Sequence, residues 1–197
     1  MKSFNKLILA SCIFGGISSS ALAAGAAPTG TDLGHGTLHF TGSVINSPCS
    51  IAPGDEDINV PLGQIANKVL ESGAGYSRTQ PISIHLQNCD LTVQTSPNGS
   101  TAYPALSKVK VKFAGSADAT NAQLYANTGD ASGVGIRLID TMAGNILLSA
   151  NTSSADHNLT VGDNLLKFGA RVERVDANTS VSTGTIAADV TYAMEYN

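Results

Sequence analysis

Beyond the first residues the chain carries four histidines, His35, His39, His85 and His157. Two imidazoles four residues apart bind zinc when a helix carries them. On a strand the same spacing puts His35 and His39 about 13 Å apart, at roughly 3.3 Å per residue. The four are too few and too scattered for the dense imidazole set of a copper–zinc site, so no metal is expected. Asp55-Glu56-Asp57 follows Pro53-Gly54. It lacks the further spaced oxygen ligands of a calcium loop, so a solvated turn is the expectation. The glycine-rich run from Gly129 to Gly135 has no strand–GxGxxG–helix setting and is not read as a phosphate loop. No serine sits in a G-x-S-x-G elbow, and no pair of carboxylates is set apart by spacing. No catalytic residue is assigned, and neither an enzyme nor a cofactor is expected.

The remaining reactive side chains are thiols, and their compartment follows from the first residues. Lys2 and Lys6 precede an apolar run from Leu7 to Ile17, and Ala21-Leu22-Ala23 follows. This is the pattern of a secretory signal peptide over residues 1–23, cleaved after Ala23 or, as second choice, Ala24. The apolar run is too short to span a bilayer. Cys12 leaves with the signal peptide. Cys49 and Cys89 remain in an oxidising compartment, where a disulfide is the default. Closing a loop of about 40 residues contributes roughly 4 kcal/mol in chain-entropy terms. Without Lys2 and Lys6 the chain keeps 9 basic residues against 15 acidic ones, a net charge of −6. With no basic patch and no tryptophan, nucleic-acid binding is not expected.

The elements that must position anything else read as strands. Short alternating runs separated by turn-like clusters indicate an all-β sandwich or barrel. Leu38, Phe40 and Val44 share one face of a first strand, with Gly42 between them. Ile82, Ile84 and Leu86 alternate with Ser83, His85 and Gln87. Val109, Val111 and Phe113 alternate with Lys108, Lys110 and Lys112. Val134–Asp140 supplies Ile136 and Leu138, and Leu166, Phe168, Ala170 and Val172 form a further row. The last strand takes residues 183–197, its even positions apolar and its odd positions small or polar. That makes about six principal strands. Residues 60–73 stay open between a short strand with a loop and a turn of helix.

Several of these stretches together resemble a family. "GTLHFTGSVINSPCSI", the cysteine in "ISIHLQNCDL", "GVGIRLIDTMAGNIL" and the closing "STGTIAADVTYAMEYN" are similar to the corresponding segments of chaperone–usher fimbrial subunits, of the type 1 and P-pilus major pilin kind. The closing motif has a glycine fourteenth from the end, Gly184, and a penultimate aromatic, Tyr196. The resemblance implies an incomplete immunoglobulin-like sandwich that lacks its seventh strand, with a donor strand from another subunit completing it. It implies residues 24–35 as an N-terminal donor-strand extension and residues 36–197 as the pilin domain.

The function implied is a structural subunit of a cell-surface fimbrium of a Gram-negative bacterium, polymerising head to tail to form the pilus shaft and support adhesion. The partners implied are neighbouring pilin subunits, a periplasmic chaperone and an outer-membrane usher. The alternatives are a minor adaptor or terminator pilin, or a monomeric secreted β-sandwich binding protein. Of the two donor phases, the odd one offers Ala27, Thr29, Thr31 and Leu33, and the even one would bury Asp32 without a partner. The odd phase is the expectation, with Leu33 as anchor. Gly184, Ile186, Ala188, Val190, Tyr192, Met194, Tyr196 and Asn197 are expected to form the acceptor groove and the chaperone-binding strand. Leu38, Phe40 and Val44 are expected as its first-strand wall.

Overall fold

The computed structural model describes residue 34, residues 36–96 and residues 98–197. The chain divides into residues 1–44 and residues 45–197. In the first unit, residues 36–44 form neither helix nor strand, and among the described residues all regular structure lies in the second. Its elements are β1 (Ser50–Ile51), α1 (Asn67–Glu71), β2 (Gln80–Cys89), β3 (Gln94–Thr95), β4 (Thr101–Tyr103), β5 (Lys108–Gly115), β6 (Tyr125–Ala126), β7 (Val134–Asp140), β8 (Ile146–Leu148), β9 (His157–Asn158), β10 (Gly162–Arg174) and β11 (Val190–Tyr196). Among the described residues the fold is all-β apart from the single turn of α1.

Alternation decides which face each long strand buries. β5 buries Val109, Val111 and Phe113 while Lys108 and Lys112 face outward. β2 buries Ile84, Leu86 and Cys89, and β10 buries Leu166, Phe168, Ala170 and Val172. β7 is buried along its whole length. It has β10 on one edge and β6 with β8 on the other. The antiparallel order is β1-β2-β10-β7-β6 in the larger of the two main sheets, with β8 on β7, and β11-β5-β9 in the smaller; β3 and β4 form a separate two-stranded ribbon.

The two sheets enclose one main core. Phe113 of β5 meets Phe168 of β10 edge to face at 5.1 Å, and burial of side chains of this class stabilises by about 1.5–3 kcal/mol each. The expected Cys49–Cys89 disulfide is present and ties the approach to β1 to the end of β2. A polar tie also joins the sheets. Asp140, fully buried at the end of β7, accepts hydrogen bonds from the Met142, Ala143 and Ala155 amides. It also bonds the Nε2 of His157 on β9 at 2.9 Å.

Two boundaries differ from the sequence reading. The first strand expected through Leu38, Phe40 and Val44 is absent. Residues 36–47 carry no strand, and only Ser50 and Ile51 pair with β2. The last strand begins at Val190, not at 183. The open choice at 60–73 resolves into an irregular stretch followed by the single helical turn of α1.

Candidate functional site

The candidate site is the half-covered apolar surface beside the open edge of the last strand, here called the groove. β11 pairs with β5 from Val190 opposite Gly115 to Tyr196 opposite Val109. It ends its sheet, so its other edge has no partner strand among the described residues. An open edge of this kind is a template for a further strand. From 186 to 194 the even positions are half-buried and the odd ones exposed. Ile186, Ala188, Val190, Tyr192, Met194 and Tyr196 all pack on the main core without being fully covered. Their covering is incomplete along the whole strand, unlike that of β5 or β7.

The opposite wall was not anticipated. Ile58, Val60 and Leu62 are half-buried on the same core, with Asn59 and Pro61 exposed between them. The alternation was readable, but Pro61 obscured it. Proline has no N–H to give a ladder, so this segment lies as extended backbone rather than as a paired strand. Leu62 and Ile186 both touch the second, smaller core around Leu70 and Val172. At the other end the Tyr192 hydroxyl donates to the Asp55 carbonyl at 2.6 Å. The two walls therefore run antiparallel, and among the described residues no backbone hydrogen bond joins them.

Charge surrounds the Tyr192 end. The Asp55 Oδ2 accepts from the His85 amide at 2.6 Å and lies 2.8 Å from its Nδ1. Burial raises the Asp55 carboxyl, but the His85 amide, ring and charge outweigh it and hold the group below the ordinary 3.8. The acidic run is thus a turn pinned to β2. Burial pushes the Tyr192 phenol up to about 12, helped by the Asp55 and Glu56 charges and by Tyr196. Burial also raises Tyr196, against the pull of a hydrogen bond with Ser47.

The strand's approach is held by close backbone contact. The segment from 182 to 187 lies against the 127–132 loop, through Ala131 N–H to Thr185 O at 3.0 Å and Thr128 N–H to Ala187 O at 2.8 Å. The Asn127 carboxamide accepts from the Ala187 amide and donates to Ala131 O. A Cβ on Gly184 would sit 2.4 Å from the Ala131 nitrogen, and one on Gly129 would sit 2.3 Å from Thr185 O. The glycine-rich run is therefore a seat for the C-terminal segment. The far end is equally fixed, with Asn197 exchanging both backbone hydrogen bonds with Lys108.

Ala27, Thr29, Thr31 and Leu33 lie outside the described residues. Leu38, Phe40 and Val44 are 80%, 88% and 103% exposed. A strand needs a partner edge to satisfy its backbone, and residues 36–44 pair with no strand among the described residues.

Comparison with known proteins agrees with this geometry. The family profile described as "Fimbrial protein" matches residues 38–197. The chain is 35% identical over 192 residues to the fimbria A protein of Serratia marcescens, covering 98% of each chain. It is 32% identical over 193 residues to the type-1 fimbrial protein A chain of Escherichia coli, covering 95% of this chain and 97% of that one. Among solved structures, a chaperone–usher pilus subunit studied for rod uncoiling superposes with a TM-score of 0.70 at 28% identity. That match covers 87% of this chain and 100% of the other. A groove open along its last strand, set in a sandwich shared with pilus subunits, is the mark of an assembly protein rather than of a catalyst. The chain belongs to the fimbrial protein family, as a non-enzymatic structural subunit of the major-pilin kind.

Proposed function

We propose that this subunit polymerises head to tail by donor-strand exchange. A segment of one copy lies in the groove of the next, along the free edge of β11. The observation that carries this reading is the half-covered apolar face from Ile186 to Tyr196, opposed by Ile58, Val60 and Leu62. Main-chain bonds to β11 supply affinity, and alternate side chains entering the groove supply register. A periplasmic chaperone fills the groove first, anchoring the terminal carboxylate of Asn197 with basic side chains. An outer-membrane usher then directs the replacement, and the product is a cell-surface fibre.

Two stretches compete as donor. Residues 24–33 offer Leu33 as a single large anchor. Residues 38–44 offer Leu38, Phe40 and Val44 at alternate positions, all exposed, and the family match starts at Leu38. We assign the main donor role to Leu38, Phe40 and Val44, in place of the wall role. Three buried anchors contribute about three times what one does, at roughly 1.5–3 kcal/mol each. The test expresses the chain with its chaperone and usher and images the fibres. Deleting residues 24–33 is expected to leave fibres, and Phe40→Asp is expected to abolish them while the chaperone-bound subunit persists. The reverse pattern returns the donor role to Leu33, and fibres from both variants overturn donor-strand exchange.

A further inference from the structure

The groove's two walls share a core but no backbone hydrogen bond. Among the described residues one hydrogen bond crosses between them, from the Tyr192 hydroxyl to the Asp55 carbonyl at 2.6 Å. Both of its ends are held. Tyr192 lies on β11, with its ring packed on the core. Asp55 sits in a tight turn, its amide donating to Ala52 O at 3.0 Å. Its carboxylate is fixed by the His85 amide at 2.6 Å and lies 2.8 Å from the His85 ring. Ala52 in turn donates to His85 O at 2.9 Å, so the catch is fastened to β2 from both sides of the turn.

We propose that Tyr192 and Asp55 form a latch across the empty groove, and that opening this latch limits how fast a donor strand inserts. The proposal rests on the donor-strand reading of the groove. A strand added beside β11 takes a position about 4.8 Å from it, on the side where the tyrosine reaches to the far wall. The hydroxyl must give up its bond to Asp55 O as the donor backbone passes, and water or the donor's own carbonyl then accepts it. The phenol remains a donor at any physiological pH, because its titration is displaced upward to about 12. His85 is a positioning residue for the catch. It touches Asp55 and holds the turn at the height the hydroxyl needs.

The test uses the full mature chain, refolded at high dilution, and a labelled synthetic peptide of residues 36–45. Binding is followed by fluorescence anisotropy. Tyr192→Phe keeps the ring in the core and removes only the hydroxyl. It is expected to speed peptide insertion about fivefold, the scale of one lost hydrogen bond. The melting temperature of the peptide-filled product is expected to stay unchanged. His85→Ala, which frees the turn but spares the tyrosine, should move the rate in the same direction by less. Equal or slower insertion in Tyr192→Phe overturns the latch alone. So does a filled product that melts lower without the hydroxyl, because the bond then belongs to the finished fibre. A peptide that binds neither form overturns the donor-strand reading and the latch with it.

Discussion

Asp55 shows how much a single carboxylate does at the groove. Its depressed titration couples the turn to acidity, and the sign follows from the direction of the shift. A carboxyl whose folded pKa lies below its unfolded value of 3.8 contributes stability that is fully present above that value. The contribution fades as pH falls through the folded value. Asp55→Asn keeps the size of the side chain and removes the charge. At pH 7 it is expected to cost about 1 kcal/mol, the scale of a charge-assisted bond at a partly exposed site. As pH falls through the folded value the variant and the parent should converge. Urea denaturation of the donor-filled subunit across this range checks it, and a difference that persists in acid would assign the effect to packing.

At the scale of elements, what was legible in the sequence depended on whether a strand meets its partner within the chain. β2, β5, β7 and β10 are each paired in the chain and buried on at least one face, and their alternation placed them correctly. The row Leu38, Phe40 and Val44 alternates just as clearly, yet forms no strand among the described residues, and the proposed donor role gives it a complement in another copy. Periodicity reports that a face will be buried, not by which molecule. The wall at Ile58, Val60 and Leu62 was missed for the opposite reason, since Pro61 reads as a break although extended backbone without a ladder accommodates it. The glycines at 129 and 184 signalled a close approach whose partner no local pattern names. His157 looked isolated because Asp140 lies 17 residues away and in the other sheet. That pair is the element-scale device with the largest predicted effect. Asp140→Ala strips three part-buried amides and the buried His157 imidazole of their acceptor. A loss of about 3–5 kcal/mol is expected, because each buried donor left unsatisfied costs about 1–3 kcal/mol. Thermal melting of the donor-filled subunit measures it. His157→Phe, which removes one donor and keeps an aromatic beside Phe168, should cost clearly less.

Under the proposed function, the decisive property of the whole molecule is that groove and donor belong to one chain but serve different copies. A heterologous contact of this kind leaves a free groove at one end and a free donor at the other, so it extends without closing. Closing it artificially should end polymerisation. Residues 36–45 can be appended after Asn197 through a flexible loop of about five residues, with the natural copy at 36–44 deleted. A loop of that length makes the appended strand an antiparallel neighbour of β11. The added Leu38, Phe40 and Val44 equivalents should contribute about 5 kcal/mol. In a domain of this size that raises the melting temperature by roughly 10 °C or more. The expected product is a soluble monomer that needs no chaperone and seeds no fibre. The same fusion with aspartates at the three anchor positions should return to aggregation, because the groove is again uncovered. Size-exclusion chromatography with calorimetry separates these outcomes. A fused chain that still associates would mean that the core is completed elsewhere, and that β11 is an edge the fibre does not use.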